Sequence, residues 1–327
     1  MAQATQEKNL RGNPVRQDRM TIEVSGGSNR APTMAEYRKR IRFSTARSGG
    51  RGLVGTQHHA PSAGQPLITV ITVAMNAEAS LERTINSVLA QTYPHVEYIV
   101  LDGGSHDRTP EILQDYSDRI AFWSTEPDAG IYDAMNKGIS IASGDWIHLL
   151  NADDVYTSAD ALANIAPLLD EKMTNYFALY LESAEGERRM HRFSYSPWMQ
   201  FVKANIIHPS LLVSRLQYEK VGLYDTSFPL AADHDFILRL SRSFPPRGSD
   251  FPLVVMRQTG ASHRQLWSAC REFRDVTIRH GAPRLAAELL APLKYCLWKL
   301  PLAWRRFIRN AISPASSYRK ATEVSPP

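Results

Sequence analysis

Between residues 66 and 154, short apolar runs alternate with amphipathic stretches, and the runs give way to polar clusters. The first run, Leu67 to Val73, reads LITVITV, apolar and β-branched almost throughout. Such a run predicts a strand buried on both faces. Leu81, Ile85, Val88 and Leu89 follow at helical spacing, with Ser80 placed to cap the helix. Tyr98 to Leu101, Ile120 to Ser124 and Trp146 to Leu150 read as three more strands. Between them, Thr109-Pro110-Glu111 marks a helix start, and Ile131 to Ala142 is a helix closed by Gly144. This alternation predicts an α/β fold, a Rossmann-like, doubly wound, mostly parallel sheet. Further on, Tyr176 to Glu182 and Ile206 to Val213 read as strands, and Ala232 to Arg242 as a helix.

The ends differ in composition. Residues 1–65 are rich in Gly, Ser, Arg, Gln and Pro and predict a mostly disordered basic extension. Residues 66–262 then form one domain, and 263–327 a basic, helical C-terminal segment. Residues 1–60 carry 11 Lys/Arg and 4 Asp/Glu; residues 264–327 carry 12 and 4. With a formal charge of +5 for the whole chain, the middle is acidic. An acidic core between basic ends suits a metal-using site with ends that meet anionic surfaces, or with arms that are simply solvated. Two cysteines, Cys270 and Cys296, are too few for a disulfide framework and wrongly spaced for zinc. No secretory signal and no run of about 18 apolar residues is visible. The expected location is the cytoplasm, or the cytoplasmic face of the inner membrane as a peripheral protein. Residues 285–309 mix Leu289, Leu293 and Trp304 with Lys294, Arg305 and Arg306, a pattern for a helix in a membrane interface or for a packed lid. Pro292 and Pro301 predict that this stretch is not one long straight helix.

In doubly wound sheets ligands bind at the carboxyl ends of strands. Asn151-Ala152-Asp153-Asp154 follows the fourth strand. Two adjacent carboxylates are costly unless a cation neutralises them, and hard oxygen ligands suit Mg²⁺ or Mn²⁺. A nucleotide diphosphate would complete the shell. A solvated turn before a helix capped by Thr157 or Ser158 reads the same residues without a metal. Asp102-Gly103-Gly104-Ser105 follows the second strand, and Asp102 can hold a ribose hydroxyl or a base. No G-x-G-x-x-G follows the first strand, against a nicotinamide enzyme. Val73 to Glu78 lacks the Gly-rich basic loop of a nucleotidyltransferase. A non-catalytic reading, in which 1–65 grips nucleic acid or anionic lipid, rests on charge alone; no nucleic-acid motif is present, and no nucleic-acid partner is expected.

Five stretches in order make the pattern specific: SVLAQTYPHVEYIVLDGGSHDRT, EPDAGIYDAMNKGISIASGD, LLNADD, IIHPSLLVSRLQYEKVGLYD and AADHDFILRL. Together, over roughly residues 66–262, they resemble glycosyltransferase family 2. They are most similar to bacterial members that build exopolysaccharide, capsule or lipopolysaccharide. The resemblance implies a GT-A fold and inverting transfer from a UDP- or GDP-sugar to a saccharide or lipid-linked acceptor. It implies nucleoside contact at Asp102, with Gly103 where many members carry a second acid. Asp153 matches the last acid of the D-x-D motif and meets the metal, and Asp154 extends the motif. Asn151 stands at the motif's first acid, for nucleoside contact or a weaker metal shell. Asn76 matches a polar residue after the first strand. Asp233 lies at the catalytic base, with Ala232 before it and Asp235 as its rival. Beside these, Lys137 can pair with the diphosphate, and Asp128 or Asp133 can hold the donor sugar; a polar helix face is the alternative. His208 reads as an acceptor or phosphate contact, or as a buried structural histidine. Trp198 and Tyr195 stack on an acceptor sugar or pack in the core. His263 is a third metal ligand or an exposed loop residue.

Overall fold

The computed structural model describes residues 31–39, 41, 43, 48–52, 65–202, 206–257 and 265–299. At its centre, β2 (Ile68–Ala74), β3 (Val96–Asp102), β4 (Phe122–Thr125) and β5 (Trp146–Leu149) are parallel neighbours in the order β4-β3-β2-β5. Every residue of β2 is buried, as its unbroken apolar run predicts. Ile68 and Val70 enter one hydrophobic cluster and Ile71 and Val73 the other, so the pleat feeds two cores. On one side lie α2 (Leu81–Leu89), α3 (Thr109–Asp115) and α5 (Ala161–Ile165), through Leu81, Ile85, Leu113 and Leu162. On the other lie α4 (Ile131–Ile141), α7 (Arg215–Val221) and α8 (Ala232–Ser243), through Met135, Tyr218 and Phe236. Each such side chain contributes about 1.5–3 kcal/mol on burial.

The sheet continues past β5 through β9 (Leu211–Ser214), β7 (Thr174–Glu182), β10 (Pro246–Arg257) and β6 (Val155–Tyr156). β9 is antiparallel to both β5 and β7, and β10 is parallel to β7. Thus β7 and β10 point the same way as β2 to β5, and six carboxyl ends share one edge. β8 (Arg188–His191) pairs with β7.

Several expectations are corrected. The strand expected from Ile206 begins only at Leu211, because His208–Ser210 forms a 3-10 turn around Pro209. Ser80 makes no side-chain cap; Ala77 O takes the Leu81 N–H instead. Thr109 lies inside α3, and Asp107 Oδ1 accepts its N–H at 3.0 Å.

Order also starts before residue 66. α1 (Met34–Arg38) opens with a capping box between Thr33 and Glu36, and buries Met34. Arg38 Nε donates to Ser140 O on α4 at 2.6 Å, and Leu223 N to Pro32 O at 2.8 Å. β1 (Ser48–Gly49) pairs with β4. Composition averaged over 65 residues hides one capped turn of helix. Disorder of residues 1–30 and 53–64 lies outside the described residues.

The C-terminal helices are α9 (Leu266–Arg279) and α10 (Arg284–Lys299). α9 is built into the domain: Val276 is in the core, and Glu272 accepts from Leu230 N at 2.7 Å and Ala231 N at 3.0 Å, just before α8. α10 runs through Pro292 as one element, held by Ala287, Leu290 and Ala291 against the Cys270–Phe273 side of α9. Pro301 and Trp304 lie outside the described residues. Among the described residues no helix is long and apolar enough to cross a membrane.

Candidate active site

The loops after β2, β3 and β5 meet at the shared edge. Asn76, the one described non-glycine residue with positive φ (49°), lies just past β2. Its backbone N–H donates to Ser105 Oγ at 2.6 Å, and its Oδ1 accepts from His106 N at 3.0 Å. Asn76 therefore pins the β3 loop to the β2 loop. Asp102 is buried at the loop's base, where its carboxylate accepts from Ser105 Oγ at 2.5 Å and Ser105 N at 3.1 Å. A Cβ on Gly103 would lie 2.7 Å from Asp128 Oδ2. Asp128 thus fills the space that a second acid at 103 would need.

Asp128, Asp133 and Lys137 form one charged cluster, and Asp128 joins it to Asp102. Burial pushes the Asp128 carboxyl above its usual range; the Gly130 N–H and Lys137 oppose this, and the Asp133 and Asp102 charges add to it. Lys137 Nζ lies 3.2 Å from Asp133 Oδ2. Asp133 also accepts from Ala129 N at 3.1 Å and from the hydroxyl of Tyr37 on α1. The sequence reading missed Tyr37, because nothing links it to α4 before folding. Asn136 is structural: its amide clasps both backbone groups of Tyr224 at 2.9 Å.

The β5 loop separates its two acids. Asp153 is partly exposed at the edge, and Arg83 Nη2 donates to its backbone carbonyl at 3.2 Å. Asp154 is buried, accepting from Arg257 N and Asn151 Nδ2, each at 3.1 Å. Burial and the Asp153 charge push its carboxyl well above the usual range, against those two donors. Through those two bonds Asp154 braces the loop from within. Among the described residues, no group of three or more His, Cys, Asp or Glu could hold an ion. The oxygen donors here fit a hard cation carried mainly by a bound diphosphate, with Asp153 as the protein carboxylate.

Asp233 sits at the start of α8 with its side chain 24% exposed. Tyr132 donates its hydroxyl to Oδ1 at 3.0 Å, and His234 N donates to the same oxygen at 2.8 Å. Oδ2 faces His208 Nδ1 at 3.6 Å. Burial works to raise the Asp233 carboxyl, but His208, His234 and Tyr132 outweigh it and hold it below the usual carboxylate range. Burial and the Asp233 charge push the Tyr132 phenol well above its ordinary value, so it stays a donor. Tyr132 was overlooked beside Asp133, although it lies one residue away on α4.

Asp235 points elsewhere. It is buried, 2.9 Å from both Arg239 Nε and His280 Nε2. Tyr195 packs against the core, while Trp198 is 80% exposed. His263 lies outside the described residues.

A sequence profile of Glycosyl transferase family 2 matches residues 69–220. An uncharacterised glycosyltransferase of Mycobacterium tuberculosis is 34% identical over 207 residues, covering 61% of this chain and 79% of that protein. A PGL/p-HBAD biosynthesis glycosyltransferase of Mycobacterium bovis is 29% identical, covering 53% and 69%. Among solved structures, a mannosyltransferase of Pyrobaculum calidifontis in complex with GDP-Man and Mn²⁺ superposes with a TM-score of 0.52 at 19% identity, covering 86% of this chain and 83% of that one. S. aureus TarS 1–349 in complex with UDP-GlcNAc gives 0.51 at 14% identity, covering 75% and 79%. Both superpositions concern the fold, which is GT-A.

Proposed function

This chain belongs to glycosyltransferase family 2, and from that premise we propose an inverting, metal-assisted transfer from a nucleotide-diphosphate sugar to a saccharide or lipid-linked acceptor in glycoconjugate synthesis. One observation carries the reading. A partly exposed carboxylate, Asp233, is aimed by Tyr132 and sits one imidazole away from the loop that bears Asp153. A base and a donor-binding loop are thereby held together at one strand edge.

In this reading the loops after β2, β3 and β4, through Asn76, Asp102 and Asp128, receive the nucleoside, and Asp133 and Lys137 flank the sugar and diphosphate. Asp153 would hold Mn²⁺ or Mg²⁺ against the diphosphate. When bound, the ion stabilises charge on the leaving group. Asp233 removes the acceptor's proton as attack proceeds from the face opposite the nucleotide, which inverts the anomeric centre. UDP-GlcNAc and GDP-mannose, bound by the two superposed enzymes, are the first donors to test. The experiment is nucleoside diphosphate release from UDP-GlcNAc, UDP-glucose and GDP-mannose, with Mn²⁺ and without acceptor. Release in Mn²⁺ that stops in excess chelator supports the reading. No release from any donor, together with no thermal shift on adding UDP or GDP, would falsify it.

A membrane-side location is supported by α10. Leu285, Leu289 and Leu293 are 76%, 69% and 53% exposed at spacings of four, so they form one outward stripe. The basic excess of residues 264–327 surrounds that stripe in sequence. An apolar stripe among cations suits an anionic bilayer surface, where a lipid-linked acceptor would reside.

A further inference from the structure

We infer that Arg83, Arg188 and Arg257 form a phosphate-binding subsite, and that the acceptor which reaches it carries a phosphate or diphosphate group. The inference deepens the proposed transfer, and only its second half rests on that reading.

The cluster follows from strand register. Glu182 closes β7. Arg257, which closes β10, lies opposite Glu182 on one side, and Arg188, which opens β8, lies opposite it on the other. Directly paired residues project from the same face of a sheet. The three side chains therefore stand in a row at the carboxyl edge. Arg188 Nε donates to Glu182 Oε1 at 3.0 Å, and Arg257 Nε to Oε2 at 3.2 Å. From α2, Arg83 places Nη1 3.6 Å from Oε2, while its Nη2 donates to the Asp153 carbonyl at 3.2 Å.

Three cations thus meet one carboxylate. Burial works to raise the Glu182 carboxyl, but Arg188, Arg83 and Arg257 outweigh it and hold it below its usual range, so it is ionised. Glu185 and Glu187, at the tip of the β7–β8 hairpin, form no ion pair with these arginines among the described residues. The Asp153 carboxylate is given to the metal in the proposed transfer. Arg188 and Arg257 engage Glu182 only through Nε. Among the described residues their Nη groups meet no protein acceptor, and their side chains are 53% and 37% exposed. A guanidinium presents its donors as a planar fork that matches phosphate. One arginine neutralises Glu182, and the remaining two charges match a phosphate monoester, which carries about −1.5 to −2 at neutral pH.

The place in the sheet points to the acceptor as the source of that phosphate. Asn76, Asp102 and Asp128, read as the nucleoside site, follow β2, β3 and β4 on one side of β5, whereas β7 and β10 lie on the other. The loop 151–154 links the arginines to the base. Asp154 accepts from Arg257 N at one end, and Asn151 meets His208, the neighbour of Asp233, at the other. An acceptor anchored through phosphate at one end of this loop can present a hydroxyl to Asp233 at the other.

The test titrates inorganic phosphate into the full chain with Mg²⁺, first without nucleotide and then with saturating UDP or GDP, read by calorimetry. The parent should bind phosphate in both states. Arg188→Gln/Arg257→Gln should weaken binding about tenfold or more, with melting temperature near the parent's. Glu182→Gln should tighten it severalfold, because a competing negative charge is removed. Arg284→Gln, at an exposed arginine on α10, should leave it unchanged. No phosphate binding by the parent, or no gain in folded Glu182→Gln, leaves only a structural ion network and overturns the subsite. Equal binding by the parent and the arginine double variant overturns it as well. Phosphate binding that nucleotide abolishes, with nucleotide affinity also down about tenfold in the double variant, assigns the arginines to the donor diphosphate and overturns the acceptor reading. If neither nucleotide binds, the proposed transfer fails and the acceptor with it, whereas the nucleotide-free titration still decides the subsite.

Discussion

Asp233 and Asp235 stand two residues apart at one helix start, and the structure gives them opposite jobs that mutation can separate. Asp235 is buried in a network with Arg239 and His280, both at 2.9 Å. Asp235→Asn keeps the shape but leaves the Arg239 guanidinium short of its counter-charge. Breaking such a buried pair costs about 3–5 kcal/mol; the retained amide oxygen places this change near the lower end, about 3 kcal/mol. At roughly 2–4 °C per kcal/mol, the melting temperature should fall by about 6–12 °C. Asp233 is 24% exposed, and an amide there still accepts from Tyr132, so Asp233→Asn should cost under about 1 kcal/mol. Its kcat should nevertheless fall about a hundredfold or more. Calorimetry and donor turnover, run on both variants, read the two effects. A pH series adds a check on sign. Burial acts to raise the Asp235 carboxyl, but His280 and Arg239 outweigh it and hold it below its ordinary value. Its stabilisation is therefore fully present above the unfolded carboxylate's pKa of about 3.9 and is lost as pH falls through the lower folded value. The gap in melting temperature between parent and Asp235→Asn should be full at pH 7 and shrink below about pH 4. A stable, active Asp235→Asn beside a destabilised but active Asp233→Asn would refute the assignment.

Three further outcomes are expected. Asp153→Ala should abolish turnover, as should excess chelator with the parent, while melting temperature without ligand stays within a few degrees; full activity in chelator removes the metal. Tyr37→Phe takes one donor from Asp133 but leaves Lys137 and Ala129 N, so donor KM should rise about three- to tenfold with kcat largely kept, consistent with the loss of about 1 kcal/mol; an unchanged KM would detach α1 from the donor site. Leu285→Glu/Leu289→Glu, both on the exposed stripe, should leave turnover of soluble donor intact and abolish co-sedimentation with phosphatidylglycerol vesicles; equal sedimentation by parent and variant would end the membrane reading.

The parallel half of the fold was legible because each of its strands is buried on both faces. Such strands appear as uninterrupted apolar runs, and β2 is the clearest case. The later strands were harder. In β10 the burial pattern is irregular and the register shifts between Ser249 and Val254, so no clean period exists to read. Helix α1 was missed for a different reason: its capping box is a single local signal inside a long polar stretch, and its docking on α4 comes through the Tyr37 and Arg38 side chains.

At the site, a motif indicates which residue types are present but not which way they face. Asp153 and Asp154 are adjacent in sequence and look like one metal clamp. Yet Arg257 N and the Asn151 amide draw Asp154 inward, and both arrive from elsewhere in the fold or from an unexpected residue type. The same amide explains what looked like a defect in the motif. The Asn151 side chain bridges Asp154 and His208, which joins the donor loop to the base. Gly103 follows the same logic: the missing acid is answered by Asp128, which reaches that space from a loop 25 positions later. Departures from a family pattern are thus best read in pairs, each with the residue that the fold brings to face it.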